Sequence, residues 1–437
     1  MRIASFLCSL AALGWIETGL RAAEPANLTL DQALASVEKV NINVLLSRES
    51  ATQALEAVRQ QRAGILPSLS ASAQQRRTQG VSIATVVVAS GRPASRFDAL
   101  ISGNYALYDP ELRSLVRSAR IGAQVAEANY QSVVQNVLAD VADAYFTHLR
   151  NLRRLDVFDA NIARAKSLLE LARNQFNAGV ATQIDVTRAE AQVAQAEQAR
   201  LQQTTTQYES ELLLKRLLDF DPAGVLRLED FRVQRANPTL FAFSEQRTAF
   251  EKRADYLAAQ KALEQAKINV DTAGLQRWPS LNANGNYGLA SKSWDDNDKQ
   301  EQWGLGLGVS VPIFDGLRAG ADRRIALSRQ RAQEFRIRSL ELQINAELRL
   351  AVQDAGSRNA QIEVAEKSLR LAQEELRLAQ QRYQQGVADN REIVEAQNRL
   401  AVAEDNLVEA TYQYNLSRVE LARAKGDVRT VLAEKVN

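Results

Sequence analysis

The sequence predicts a mainly α-helical chain in which long, coiled-coil-like helical hairpins alternate with two β-hairpins. Three observations carry that prediction. Residues 111–178 and 317–385 contain no proline and almost no glycine, so each can run as a single helix on the order of 100 Å long at 1.5 Å per residue. Leu281, Ala283, Gly285, Tyr287 and Leu289 alternate with Asn282, Asn284, Asn286 and Gly288, and Trp303, Leu305, Leu307, Val309, Val311 and Ile313 alternate with Gly304, Gly306, Gly308 and Ser310. A period of two puts successive side chains on opposite faces of a strand. The same order of features also occurs twice along the chain.

Composition removes several classes of function. The 437 residues carry a formal net charge of +2 with Lys and Arg interleaved among Asp and Glu, which is not a nucleic-acid footprint. One His, one Cys and one Met leave no His/Cys metal site, no Cys nucleophile beyond Cys8 and no Ser-His pair beyond His148. His148, in the helical run from Ala144 to Arg150, is expected on a solvated or interface surface. No catalytic, cofactor-binding or metal-binding residue is expected, and the chain reads as a non-enzyme.

Taken in order, residues 1–23 resemble an export signal: Arg2, an apolar run from Ile3 to Ile16, and small residues at Ala22 and Ala23. Cys8 lies inside it and is expected to leave with it. No later run reaches 18 apolar residues, and 83–90 is far too short for a membrane helix. An exported chain that spans a membrane without such a helix does so as a closed β-barrel; the other possibility is a soluble exported protein.

The first repeat is expected over 24–225. A helix from about Asp31 to Gly64 precedes Pro67, which removes a donor and clashes with the preceding turn. A β-hairpin at 66–109 uses strands from Leu69 to Gln79 and from Phe97 to Tyr108. The long helix to Ala178 follows, with a heptad at Leu155, Phe158, Ile162, Ala165, Leu169, Ala172 and Phe176. Gly179 breaks it, and Thr182 with Asp185 looks like a capping box for a return helix from Gln183 to about Leu218. Residues 226–244 read as an irregular connection able to hold a short strand.

The second repeat, 245–426, restarts the pattern: a helix from about Glu245 to Gly274, a hairpin at 278–316, a helix from Leu317 to Gln385, a break at Gly386, and a return helix from about Asn390 to Lys425, with 427–437 as a tail. Adding 207 carries the first heptad onto Ile362, Ala365, Leu369, Ala372, Leu376, Ala379 and Tyr383, and carries Gly179-Val180 onto Gly386-Val387. Agreement at one offset over a whole heptad array marks an internal duplication.

Four strands per chain cannot close a membrane barrel, which starts near eight, and an open sheet would leave unpaired backbone in lipid. Copies of the chain must therefore pool strands: two give about eight and three about twelve. Trp278, Trp294 and Trp303, all in or beside the second hairpin, fit interfacial anchors. The face carrying Trp303 is expected toward lipid and the Gly/Ser face toward a lumen.

With these features in place the chain resembles the TolC family of outer-membrane efflux proteins. The resemblance rests on Leu30-Asp-Gln-Ala-Leu, Leu66-Pro-Ser-Leu and Trp278-Pro-Ser-Leu before the hairpins, Phe314-Asp-Gly, Tyr383-Gln-Gln-Gly-Val, and Ile393-Val-Glu-Ala-Gln. It implies a homotrimer, with a 12-stranded barrel in outer-membrane lipid continuous with a 12-helix periplasmic α-barrel. It also implies passive conduction of substrates delivered by an inner-membrane pump and a periplasmic adaptor, in efflux or type I secretion. The tips Gly179, Val180, Gly386 and Val387 would dock the adaptor. Glu392 and Glu395 would place acidic rings at a periplasmic gate, and Asp185 and Tyr383 match residues that tie neighbouring helices closed. Ala388 stands where the family has an arginine, leaving Arg391 or Arg188 to replace it. Asp389 and Glu392 also fit a capping box. The competing expectation is an exported structural coiled coil, or a periplasmic adaptor, with no membrane barrel.

Overall fold

The computed structural model describes residues 26–78, 94–231, 243–385, 387 and 390–434. The expected signal at 1–23, the apolar run at 83–90, and Gly386, Ala388 and Asp389 lie outside them.

Strand β1 (Ala26–Leu28) enters helix α1 (Leu30–Val40) through Thr29. The Thr29 hydroxyl accepts from the Gln32 N–H and the Gln32 carboxamide from the Thr29 N–H, both at 3.1 Å, closing a capping box. The single helix expected over 31–64 is instead broken at Asn41. This residue is extended (φ −71, ψ 122) and opens α2 (Ile42–Ala63). Its Oδ1 accepts from the Asn43 and Val44 N–H groups, and its Nδ2 donates to the Leu217 carbonyl at 2.8 Å. A buried asparagine thus exchanges one helical turn for a cap and a long-range anchor.

Strands β2 (Ser68–Thr78) and β3 (Ala94–Tyr108) lead to α3 (Pro110–Asn177), 68 residues without interruption. Pro110 opens it at a position that needs no donor, and Asp109 Oδ1 accepts from the Leu112 N–H at 2.9 Å. Helix α4 (Gln183–Leu217) returns to β4 (Leu226–Leu228), which pairs in parallel with β1. The second helix-to-hairpin approach is also divided, into α5 (Phe243–Lys252) and α6 (Ala254–Leu275), where Arg253 adopts an extended conformation (φ −74, ψ 118). The Arg253 guanidinium donates to Asp255 and Glu347, both at 2.7 Å, so the break seats a charge between two carboxylates. Strands β5 (Ser280–Ser291) and β6 (Gln300–Ser310) precede α7 (Arg318–Gln384), α8 (Asn390–Ala424) and a short 3-10 helix (Val428–Glu434). Strand β6 stops before Pro312, which cannot donate to a ladder.

The hairpins join in one antiparallel sheet, ordered β2-β3-β5-β6. The register aligns Ala71, Ile101, Tyr287 and Trp303 on one face, and Ser70, Ser102, Asn286 and Gly304 on the other. The first face is apolar and open, with Leu305 85% and Trp303 72% exposed. On the polar face a Cβ at Gly304 would stand 2.6 Å from Asn286 Oδ1, so glycine there lets the asparagine lie flat across the sheet. Among the described residues, the outer edges of β2 and β6 meet no further strand.

Below the sheet the helices pack side by side as α2–α3–α6–α7; farther down, α3 pairs with α4 and α7 with α8, while α3 touches α8 across the two halves. The largest core lies between these levels. There Leu138, Val141, Tyr145 and Phe146 of α3 meet Leu30 and Leu34 of α1, Leu214 of α4 and Val419 of α8. The Tyr145 hydroxyl donates to the Glu229 carbonyl at 2.6 Å and lies 3.1 Å from that of Leu28, fastening the β1–β4 pair. His148 belongs to this level and is buried, only 1% exposed, with Nδ1 3.0 Å from Ser210 Oγ. Of the expected solvated or interface histidine the solvated form is therefore corrected: α3 is enclosed on several sides here, and His148 stands between α3 and α4.

Candidate functional site: the helical tips and the seam between hairpins

Both long helices end with the same local chemistry. Gly179 takes φ +76, and the Val180 N–H donates to the Gln175 carbonyl at 2.9 Å. The Val387 N–H makes the equivalent bond to Arg382 at 2.9 Å. Both are i to i−5 bonds that satisfy an orphan carbonyl, and at the first tip, after the left-handed Gly179, the bond is the Schellman closure. Val180 (76%) and Val387 (68%) present apolar side chains at the extreme end of the molecule.

The return helix α4 starts at Thr182, whose N–H and hydroxyl both donate to Asp185 Oδ2, at 3.0 and 2.6 Å. The Thr182 hydroxyl bond, helped by its N–H and by Arg188 3.7 Å away, holds the Asp185 carboxyl below the usual carboxylate range. Asp185 therefore spends its side chain on its own helix; its backbone carbonyl accepts from Asn390 Nδ2 at 3.1 Å, tying α4 to α8. Tyr383 is buried on α7 and its hydroxyl donates to Gln175 Oε1 on α3. Burial and then the charge of Asp185 raise the phenol above its ordinary value.

Glu392 and Glu395 sit in the first turns of α8 and each meets a cation of its own chain. Arg382 Nη1 lies 3.5 Å from Glu392, and Arg391 Nε lies 3.7 Å from Glu395. Of the two replacements suggested for the family's arginine, Arg391 faces Glu395 and Arg188 faces Asp185.

Sequence reasoning missed the seam that joins α3 to α8. Arg154 makes a two-pronged pair with Asp405 at 2.6 and 2.7 Å. Arg164 does the same with Glu404 at 3.2 and 2.6 Å, and Arg150 lies 3.2 Å from Glu409. Gln192 of α4 donates to Asn398 of α8 at 2.6 Å. Fork-to-fork pairs fix geometry as well as contributing energy, so this ladder sets how one hairpin lies on the other. Periodicity cannot show it, because the partners lie about 240–260 residues apart.

The heptads are used unequally. In α7, Ile362, Ala365, Ala372, Leu376, Ala379 and Tyr383 are buried against α8, whereas in α3 only Ala165 and Ala172 are fully buried and Phe176 is exposed.

Comparison with known proteins places this arrangement. The outer membrane efflux protein family profile matches residues 49–219 and 247–427. Outer membrane protein TolC of Vibrio cholerae is 26% identical, over 95% of this chain and 93% of its own. The alkaline protease secretion protein AprF of Pseudomonas aeruginosa is 24% identical, over 84% of this chain and 78% of its own. Among solved structures, the Campylobacter jejuni CmeC outer membrane channel superposes with a TM-score of 0.82 at 18% identity, over 99% of this chain and 97% of that one. The family match does not favour a free coiled coil or a periplasmic adaptor. A sheet with an open apolar face, tandem long helices with closed tips and a family match over most of the sequence have one explanation: the chain belongs to the outer membrane efflux protein family, whose members are channels of the outer membrane and not enzymes.

Proposed function

We propose that this chain is the exit duct of an efflux or secretion system, conducting substrates passively from a periplasmic adaptor and an inner-membrane pump to the exterior. The observation that carries this reading is the four-stranded sheet, apolar and exposed on one face and polar on the other, continuous with helices of 68 and 67 residues. Such a face suits contact with lipid, and helices of that length reach about 100 Å from the membrane.

Three copies would pool their strands into a 12-stranded barrel and their helices into a 12-helix tunnel. Both open edges, β2 and β6, support this, because backbone groups left unpaired in lipid cost several kcal/mol each. The division into repeats at 24–225 and 245–426 is supported by the equal lengths, 35 residues, of the two return helices. The tips at Gly179, Val180, Gly386 and Val387 would dock the adaptor through their exposed valines, and Glu392 and Glu395 would line the periplasmic constriction, partly balanced by Arg382 and Arg391.

Deleting residues 281–313 tests the membrane role. The deletion variant is expected to be lost from the outer-membrane fraction and to give no conductance in planar bilayers, while the full chain inserts and conducts. A deletion variant that still fractionates with the outer membrane would overturn the barrel.

A further inference from the structure

The first six turns of α7 are far more basic than any other part of the wall at that level. Residues 318–338 hold seven arginines against Asp322 and Glu334, whereas the corresponding stretch of the first repeat, 111–131, holds three arginines against two glutamates. Neighbouring α6 carries one net negative charge and α2 one net positive charge, so neither offsets the surplus. Among the described residues, Arg318 alone of the seven has a carboxylate within 4 Å, Asp322 at 3.6 Å. Glu334, the acid nearest in sequence to Arg331, accepts from Gln330 instead, and Glu341, the acid nearest to Arg338, accepts from the Tyr256 hydroxyl. All seven arginines are exposed.

Their distribution makes the consequence independent of which way the wall faces. Helix α7 packs on α6 through Ala319 and Ala326, the latter against Val270 and Ala273. At 3.6 residues per turn, Arg318, Arg329 and Arg336 fall on one flank of that contact and Arg323, Arg331 and Arg338 on the other. Arg329 and Arg336 line an open cavity of about 550 Å³ between α3, α6 and α7, which Glu111 and Asp322 also line. The opposite flank holds its three arginines against Glu334, with Glu341 following one turn beyond Arg338, and still keeps a positive surplus. One flank must face the lumen of a closed tunnel, and either one brings an excess of positive charge to it.

We infer that the part of the duct next to the barrel is an anion-attracting vestibule, opposite in sign to the carboxylates at the tip. It favours cargo bearing carboxylate, phosphate or sulfate groups. Arginine suits this role, since its fork matches oxyanions and it stays charged at any working pH. A charged concavity with low-dielectric walls concentrates counter-charged solutes, and the effect falls with ionic strength. This inference rests on the channel reading above.

Single-cysteine reporters test it in the full-length reconstituted channel: Leu327→Cys on the Arg331 flank and Ile325→Cys on the Arg329 flank. Cys8, the chain's only cysteine, falls in the expected signal. The lumenal reporter is the one whose modification by a bulky thiosulfonate lowers conductance. There, after normalising to a free thiol, an anionic thiosulfonate should react faster than a cationic one, about sevenfold for a lumen potential of one kT. The ratio should approach one in 1 M salt (where the Debye length is about 3 Å) and on changing that flank's three arginines to Gln, or fall partway with Arg331→Gln or Arg329→Gln alone. A ratio at or below one, or one indifferent to those changes, overturns the vestibule. If neither reporter alters the current of a conducting channel, α7 does not line the lumen and the vestibule falls while the channel stands. A wild-type protein that does not conduct removes both.

Discussion

Asp143 sits where α3 meets α8, with Oδ1 shut off from solvent and without a hydrogen-bond partner. Burial first, then the charges of Glu420 and Asp140, push its carboxyl up to about 7, against the opposing pull of Arg423. An unfolded aspartate titrates near 3.9. Between those values the folded chain holds a proton that the unfolded chain has lost, so stability falls as pH rises from about 4 to about 7 and is level above. Asp143→Asn should remove that slope. The variant is expected to match wild type near pH 4 and exceed it at pH 8 by about 1–2 kcal/mol, discounted from the full linkage value for the nearby arginine and partial solvation. Apparent melting temperatures across pH in detergent check this; parallel curves for the two proteins would sink it. None of this was legible in the sequence, where Asp143 and His148 are ordinary members of a helical run. Their burial depends on α1, α4 and α8 converging on one stretch of α3, and local pattern carries no record of that convergence. The polar buried set along the same seam, Asn151, Gln397 and Asn415 among them, was equally hidden.

Elements were far more legible than their interiors. Proline and glycine mark where α2, α3 and α7 start or stop, and alternation placed the two strands of the second hairpin. The breaks at Asn41 and Arg253 escaped because neither residue interrupts the apolar period; each is stabilised by a distant partner, the Leu217 carbonyl and Glu347. At the tips the sequence carried no record of which side chains would pair. Tyr383 bonds Gln175, and Glu392 and Glu395 lie beside Arg382 and Arg391. Those arginines predict asymmetric effects of substitution. Replacing Glu392 and Glu395 with Ala should weaken block of single-channel current by multivalent cations, by about thirtyfold if about one kcal/mol of attraction is lost at each of the two rings. Arg391→Ala should strengthen it, because Glu395 then faces the pore uncompensated. Block unchanged in both variants would move the constriction away from these acids. Gly179→Ala should cost about 1–2 kcal/mol at the first tip, since a Cβ is strained in the left-handed region although nothing crowds it there. Faster proteolytic nicking between α3 and α4 is the expected readout, and an unchanged rate would show that the tip tolerates another backbone path.

The whole molecule has two sides that match. Along one edge run β6 and α7, with Phe335 and Leu342 exposed on the side of α7 away from α6; along the other run β2 and α2, with Ile42 and Leu46 exposed opposite the buried Val44 and Ala51. Strand directions alternate across β2-β3-β5-β6, so β6 of one copy would meet β2 of the next in antiparallel fashion, continuing the pattern without a seam. An edge that fits a different edge gives a heterologous contact, which either closes into a ring or propagates into a fibre. Closure in a membrane takes about eight strands or more, and three copies would meet it with twelve. The apolar side chains on the helical edges should then carry much of the assembly energy below the membrane. Phe335→Asp with Leu342→Asp should remove about 3 kcal/mol or more from each contact and leave monomers in mild detergent. Ile42→Asp with Leu46→Asp should do the same from the other edge. Light scattering after gel filtration checks both, with wild type expected at three chain masses. A variant pair that keeps the wild-type mass would show that these edges do not meet, and a wild-type mass of two chains would replace the 12-stranded wall with one of eight.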